Sequence, residues 1–339
     1  MPIHTLSRRQ FAALGLSSFA AFTLSGRLLA EGEKAGEPAP SPFFAWTEPL
    51  PGLFVGSEGG GNVLVLGNGT ESFLIDTKNP GLGATLKREA AARAGRISTV
   101  ILTHHHRDHV GGVSAFTKDS AVVSHTAARQ RILDQVDAIV AAADATFKGL
   151  DNAPKPTPKE VRDEIEAFIE ELTKVSANDF APTRTVEKDG ETLKIAGHDI
   201  VLRHLGPGHT DNDIAVYLPE SNVLHTGDLL FHKLHPFVDR PAGATTKGWQ
   251  SVLKALHEMC NDRTIVVPGH GEVTNRAAIQ AQIDYFDKMR EAVTHAKNVE
   301  SMTKIEVSTL MPGAFADYGF KQILPRVLTA IYEEIEEGV

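Results

Sequence analysis

The chain has 339 residues, 42% apolar and 23% charged, the balance of a globular protein able to bury one large core or two ordinary ones. Its net charge is −9 and no long Lys/Arg run occurs, which excludes the electrostatic footprint of a nucleic-acid binder. One cysteine, Cys260, excludes an intrachain disulfide framework and a cysteine-based zinc site, whereas there are 15 histidines.

Residues 1–30 carry Arg8, Arg9 and Arg27 and no acidic residue. Ser7-Arg8-Arg9-Gln10-Phe11 directly precedes a moderately apolar stretch, Phe11 to Leu24. Gly15, Ser17, Ser18 and Thr23 interrupt that stretch, which is too short to span a bilayer comfortably. The run resembles the twin-arginine signal of bacterial export. It implies a signal peptide over 1–30, a periplasmic or secreted location and no stable membrane anchor. Residues 31–45, rich in Glu, Pro, Ala and Ser, read as a linker, and 46–339 as the folded domain.

The folded part opens with short apolar runs at 53–55, 62–66 and 72–76, separated by glycine clusters as in antiparallel hairpins. A helix is expected over 82–94 and a buried strand over 98–103. A helical insertion follows over about 126–175, broken near Asn152-Ala153-Pro154. Strands are expected around 191–195, 198–204, 213–218 and 222–226. A helix at 246–260, a strand at 264–267 and C-terminal helices complete the chain. Strands first dominate and then alternate with helices, twice over, which fits an α/β protein with two sheets and helices outside.

The strand at 98–103 runs straight into Thr103-His104-His105-His106-Arg107-Asp108-His109-Val110-Gly111-Gly112. His104 and His106 are two apart, so in an extended chain they point the same way, and His105 points the other way and takes a structural or solvent role. Isolated ligands recur after later apolar strands: His209 in Gly206-Pro207-Gly208-His209-Thr210, Asp228 in His225-Thr226-Gly227-Asp228, and His270 in Pro268-Gly269-His270-Gly271. Any one of these alone would read as a turn or cap residue. Together, imidazole nitrogens and carboxylate oxygens delivered by strand ends are a metal-ligand set.

A His-x-His-x-Asp-His run followed by single His, Asp and His resembles the metallo-β-lactamase superfamily over roughly residues 50–275. The resemblance implies an αββα sandwich with a helical insertion, and a site along one edge of the sheets. By it His104, His106 and His209 hold one metal, Asp108, His109 and His270 hold the other, and Asp228 bridges. Asp76 matches a structural Asp near the site. The implied cofactors are two zinc ions, with iron or manganese as alternatives. Two such metals share a water, hydroxide-like near neutral pH, that attacks an ester, thioester, lactone or amide-type bond of a small molecule. Asp108 is then also catalytic, orienting the nucleophile or shuttling a proton, and Thr103 and Thr210 are candidates to support the ligands.

The family includes β-lactamases with Cys or Ser where Asp228 stands, so Asp228 is more similar to thioesterases and lactonases. Phe231 stands where acyl-homoserine lactonases have a Tyr. Lys233 and Arg240, in the segment 229–247, are the candidates to pair with a substrate carboxylate. A β-lactamase-type activity, an iron-dependent oxidoreductase such as a sulfur dioxygenase, and a non-catalytic metal-binding protein are the alternatives. The sequence does not specify an oligomeric state.

Overall fold

The computed structural model describes residues 43–153 and 156–339. The proposed signal peptide and residues 31–42 of the linker lie outside the described residues. By residue 44 the chain is already packed: Phe44 is buried and the first strand opens at Ala45.

One sheet runs β1 (Ala45–Leu50), β2 (Leu53–Ser57), β3 (Val63–Gly67), β4 (Glu71–Ile75), β5 (Arg96–Ile101), β6 (Ala121–His125) and β7 (Arg184–Val186), side by side in chain order. Its first four strands are antiparallel and β4 to β7 are parallel. The other sheet runs β8 (Glu191–Ile195), β9 (His198–Arg203), β10 (Ala215–Leu218), β11 (Val223–Phe231), β12 (Ile265–His270) and β13 (Thr274–Asn275), parallel only between β11 and β12. Helices α1 (Gly83–Ala94), α2 (Thr126–Asp134), α3 (Val136–Gly149) and α4 (Lys159–Leu172) belong to the first sheet's side. Helices α5 (Thr246–Met259), α6 (Arg276–Asn298) and α7 (Leu324–Glu337) belong to the second.

Alternation along the strands builds the layers. Leu64, Leu66, Phe73, Ile75 and Ile101 face Ile200, Leu202, Val216 and Val267 across the gap between the sheets. Their chain neighbours Val63, Val65, Leu74 and Val100 point outward and meet Leu86, Ile139, Ile165 and Phe168 of α1, α3 and α4. Behind the second sheet, Leu224 and Val266 pack on Trp249, Leu253, Ile283, Phe286 and Leu328. Each such side chain, fully buried, contributes about 1.5–3 kcal/mol. The result is the expected mixed α/β fold of two sheets with helices on both outer faces.

Four strands were not anticipated: β13 has only two residues, and the other three each have a local reason. β1 has no fully buried position, three of its six residues being exposed, and no run of apolar residues marks it. β6 is five residues long and runs straight into α2, whose first turn is capped by His125 Nδ1 accepting from the Ala127 N–H at 3.2 Å. β7 has three residues.

The end of β4 is held by an unusual group. Lys78 is fully buried, with a left-handed backbone (φ 68), and its Nζ donates to the carbonyls of Gly56 at 2.8 Å and Gly61 at 2.7 Å. Two acceptors suit a neutral amine, which has two N–H donors. Burial pushes the Lys78 pKa down to about 7, against the opposing pull of Asp76, Glu58 and Asp108. Between about pH 7 and the ordinary value of 10.5 the unfolded chain therefore binds more protons at this residue than the folded one. Stability from Lys78 rises with pH across that window and is lost as pH falls through 7. Lys78→Met removes the titration, so urea denaturation at pH 7 to 10 is expected to give a flatter pH dependence for the variant. The difference is at most about 1.4 kcal/mol per pH unit. Coincident slopes would mean that the buried amine stays charged.

Candidate metal centre

Five strand ends converge at one edge of the sandwich. Asp76 follows β4, the segment 103–109 follows β5, His209 lies in the β9–β10 connection, Asp228 sits within β11, and His270 ends β12. Backbone bonds tie these ends across the sheets: Ile214 N–H to the Thr103 carbonyl at 2.7 Å, and Asn62 N–H to the Gly269 carbonyl at 2.7 Å. The β11–β12 register breaks on both sides of Gly227, whose φ of 52 suits glycine. A Cβ there would sit 2.7 Å from Thr103, so the bare backbone also lets Asp228 approach the segment 103–109.

The ligand atoms form two groups. In the first, His209 Nε2 lies 2.8 Å from His106 Nδ1 and 3.5 Å from Asp228 Oδ2, and His104 Nε2 lies 3.8 Å from the same oxygen. In the second, His270 Nε2 is 3.1 Å from Asp108 Oδ2 and 3.4 Å from His109 Nε2, which is itself 3.7 Å from Asp108 Oδ2. Asp228 divides its oxygens between them: Oδ1 is 3.0 Å from His109 Nε2 and 3.4 Å from His270 Nε2. All seven residues expected from the sequence are thus brought together, in the grouping expected, and each group could hold a metal ion.

Four of the five imidazoles have their other nitrogen occupied, which fixes the ring orientation and turns the second nitrogen inward. His106 Nε2–H donates to Asp239 Oδ2 at 2.9 Å. His209 Nδ1–H donates to the Phe237 carbonyl at 2.7 Å. His109 Nδ1–H donates to Asp76 Oδ2 at 2.7 Å. The Thr103 hydroxyl donates to that same oxygen at 2.8 Å, so its lone pair is free for the His104 Nδ1–H at 3.0 Å. In the first group the lone pairs of His106 Nδ1 and His209 Nε2 face each other at 2.8 Å, a repulsion that a cation between them would relieve. The fit is visible in two buried atoms, His104 Nε2 and Asp228 Oδ1, that no hydrogen bond satisfies among the described residues. An unsatisfied buried polar atom costs about 1–3 kcal/mol.

The electrostatics agree. Burial drives His104 well below the ordinary imidazole range and His209 to about 3, helped by neighbouring histidines, so both are neutral ligands. Burial also opposes the charged forms of His109 and His270. There the Asp228 and Asp108 carboxylates prevail, with Asp76 aiding His109, and His109 is raised well above its ordinary value and His270 to about 9. Burial works against ionisation of Asp108 and Asp228 too, yet His109 and His270 hold both carboxyls below the usual range. A cation entering the second group must displace protons from these imidazoles, so its affinity rises with pH.

The other expected residues fall as follows. Thr103 supports His104 and Asp76, as described. Thr210 closes its own turn, donating from N–H and hydroxyl to the two oxygens of Asp213 at 2.8 and 2.7 Å. His105 is buried against Asn212, whose side-chain nitrogen is 3.1 Å from Nδ1, its carbonyl accepts from Gln135 of the helical segment, and its Nε2 lies 3.7 Å from Asp239 Oδ2. The structure does not bring Lys233 or Arg240 to the ligands. Lys233 is exposed and lines a cleft with Leu234, Tyr285 and Tyr318, while Arg240 pairs with Glu337 and the Ala244 carbonyl. That pairing already occupies the Arg240 guanidinium. Sequence reasoning places Asp239 in the segment 229–247 near the site but assigns no ligand-supporting role to it or to Phe237, which sit in a loop without a strand end or glycine turn to flag them. It also passed over Arg107, half-buried beside Asp108, where burial lowers the guanidinium pKa.

Comparison with known proteins agrees with this geometry. The family model described as the metallo-beta-lactamase superfamily matches residues 56–270. The probable metallo-hydrolase YqjP of Bacillus subtilis (strain 168) is 29% identical over 65% of this chain and 69% of its own length. The beta-lactamase-like protein 2 homolog of Caenorhabditis elegans is 25% identical, over 74% of this chain and 70% of its own. Among solved structures, DIM-1 metallo-beta-lactamase superposes with a TM-score of 0.53 at 17% identity, covering 73% of this chain and 98% of that one. A metallo-beta-lactamase from Pontibacter korlensis gives 0.52 at 18% identity, over 72% and 99%. At these identities the structural likeness speaks for the fold alone.

Proposed function

This chain belongs to the metallo-beta-lactamase superfamily, and we propose that it is a dinuclear metal-dependent hydrolase of a small molecule with an ester, thioester, lactone or amide-type bond. The reading rests on one observation: Asp228 turns one oxygen to each of two ligand groups, and its Oδ1 is buried without a hydrogen bond. Two zinc ions in those groups, or iron or manganese in the same donors, would supply an acidified water and positive charge for a developing oxyanion.

The chain's own residues do the rest. Asp76, Thr103, Asp239 and the Phe237 carbonyl hold four imidazoles in one orientation, so no reorganisation is needed when substrate arrives. Asp108 differs from Asp228 in exposure, with 34% of its side chain accessible against 4%. It is the carboxylate placed to orient a nucleophile from the solvent side and to carry a proton away. The stacked pair of Phe231 and His270, 5.2 Å apart and 20° from parallel, excludes water behind the second group. The name of the Bacillus relative, a probable metallo-hydrolase, supports the reaction class. The Arg8-Arg9 segment supports action outside the cytoplasm.

The test is a panel of ester, thioester, lactone, β-lactam and phosphodiester substrates, assayed on protein reconstituted separately with zinc, manganese and iron. Metal is quantified and visible absorbance recorded in parallel. Two metals per chain and turnover of a carbonyl substrate are expected. Full metal content with no turnover of any substrate overturns the hydrolase reading. Dioxygen consumption by iron-loaded protein with a visible band, and no hydrolysis of any substrate, moves it to an oxidoreductase.

A further inference from the structure

The C-terminal layer lies beyond the family match, which ends at residue 270, yet it reaches the ligands. Gly319 is stitched to the loop after Asp228. Its N–H donates to the Lys233 carbonyl at 3.0 Å, its carbonyl accepts from His235 N–H at 3.0 Å, and it bridges to Leu234. The next residue, Phe320, has φ 55 and ψ 38, a left-handed backbone that a bulky side chain rarely adopts. Such strain persists only where surroundings impose it, and it gathers at functional sites. The half-buried ring stands 5.5 Å from the His270 ring and 6.4 Å from Phe231.

In the first turn of α7, the Arg326 guanidinium lies over the Phe237 ring, 5.6 Å from its centroid. That ring in turn stands 5.7 Å from His106 and 6.1 Å from His209. Arg240, Arg290, Lys297 and Lys304 around this layer are each paired with a glutamate. Arg326 is half-buried, and no carboxylate among the described residues pairs with it. A guanidinium resting on a ring keeps its N–H edge free, and that edge matches a carboxylate in a bidentate pair.

We infer that Phe320 and Arg326 are the specificity-determining residues of the site, and that the substrate is an acyl compound bearing a second, free carboxylate. The carboxylate pairs with Arg326 above the first ligand group. The apolar chain lies against Phe320 beside the second. In a chain of net charge −9 a local cation favours the approach of an anion. The inference rests on the hydrolase reading, so its test has one arm that needs no turnover.

Zinc-loaded wild type, Arg326→Met and Arg326→Lys are assayed with 4-nitrophenyl hydrogen glutarate and its neutral methyl ester, which share a leaving group. The ratio of kcat/KM for the acid to that for the ester is expected to fall roughly 10- to 100-fold in Arg326→Met, through KM, and to be partly restored by Arg326→Lys. An unchanged ratio overturns the inference. In the second arm, glutarate is titrated calorimetrically into the same zinc-loaded proteins. At least tenfold weaker binding to Arg326→Met supports the assignment, and equal binding, or none to wild type, overturns it. If neither ester turns over while glutarate still discriminates the variants, the ester-hydrolase reading fails and the anion site stands. Thermal melts of all three proteins report on folding, and Arg326→Lys keeps the cation where Arg326→Met destabilises the helix.

Discussion

Asp228→Ala is expected to lower bound metal from two ions per chain to fewer than one and to reduce hydrolysis by at least about a thousandfold. No other single truncation touches both ligand groups, since only Asp228 directs Oδ2 to His104 and His209 and Oδ1 to His109 and His270. Folding should survive. The aspartate carries one unsatisfied buried oxygen, so its removal deletes a cost as well as contacts. It also takes away the charge that comes first among those raising His109 and His270, which then lose their protons more easily and lower the charge of the vacated pocket. Asp76 still accepts from Thr103 and His109 and keeps the β4 and β5 ends together. Metal analysis by plasma mass spectrometry, with circular dichroism melts, separates loss of ligands from loss of fold. A variant that retains two metals and full turnover would falsify the bridging role.

Legibility in the sequence followed the physics of each part. The seven ligands could be found because each sits at the end of an apolar strand or beside a glycine, where an imidazole or carboxylate has no packing reason to be. The two-layer fold could be read because Leu64, Leu66, Phe73 and Ile75 alternate with outward neighbours at a period of two. The roles of Asp239 and Phe237 were illegible for the opposite reason. They support His106 and His209 from a loop, and a loop carries no periodicity. Phe320 and Arg326 are further still: nothing local in Tyr318-Gly319-Phe320 tells that its backbone joins residues 233–235. Lys233 and Arg240 were plausible anchors by proximity to Asp228 in the chain. The structure gives Arg240 to Glu337 and turns Lys233 to an outer cleft. Charge near a site in sequence is cheap to find; charge without a partner in space is not.

Gly269→Ala should empty the centre without altering any ligand. A Cβ built on Gly269 would lie 1.9 Å from Asp228 Oδ1, 2.7 Å from the Asp228 backbone nitrogen and 2.7 Å from the Gly227 carbonyl carbon. Swinging the carboxylate away would relieve only the first clash; the other two are backbone, so β11 and β12 must part where their register already shifts. Gly269 does not have a positive φ, so the penalty is steric and not conformational. Overpacking of this kind costs about 1–3 kcal/mol, which a domain with this core survives at room temperature. The expected result is a folded protein with a lowered melting temperature, metal content reduced as in Asp228→Ala, and activity lost in proportion to metal. Gly313→Ala is the matched control, because a Cβ there meets nothing within 4 Å, and it should leave metal and melting temperature unchanged. If Gly269→Ala kept both metals, the β11–β12 junction would be more compliant than its packing indicates. The position of Asp228 would then be set by the metal ions and not by the strands that carry it.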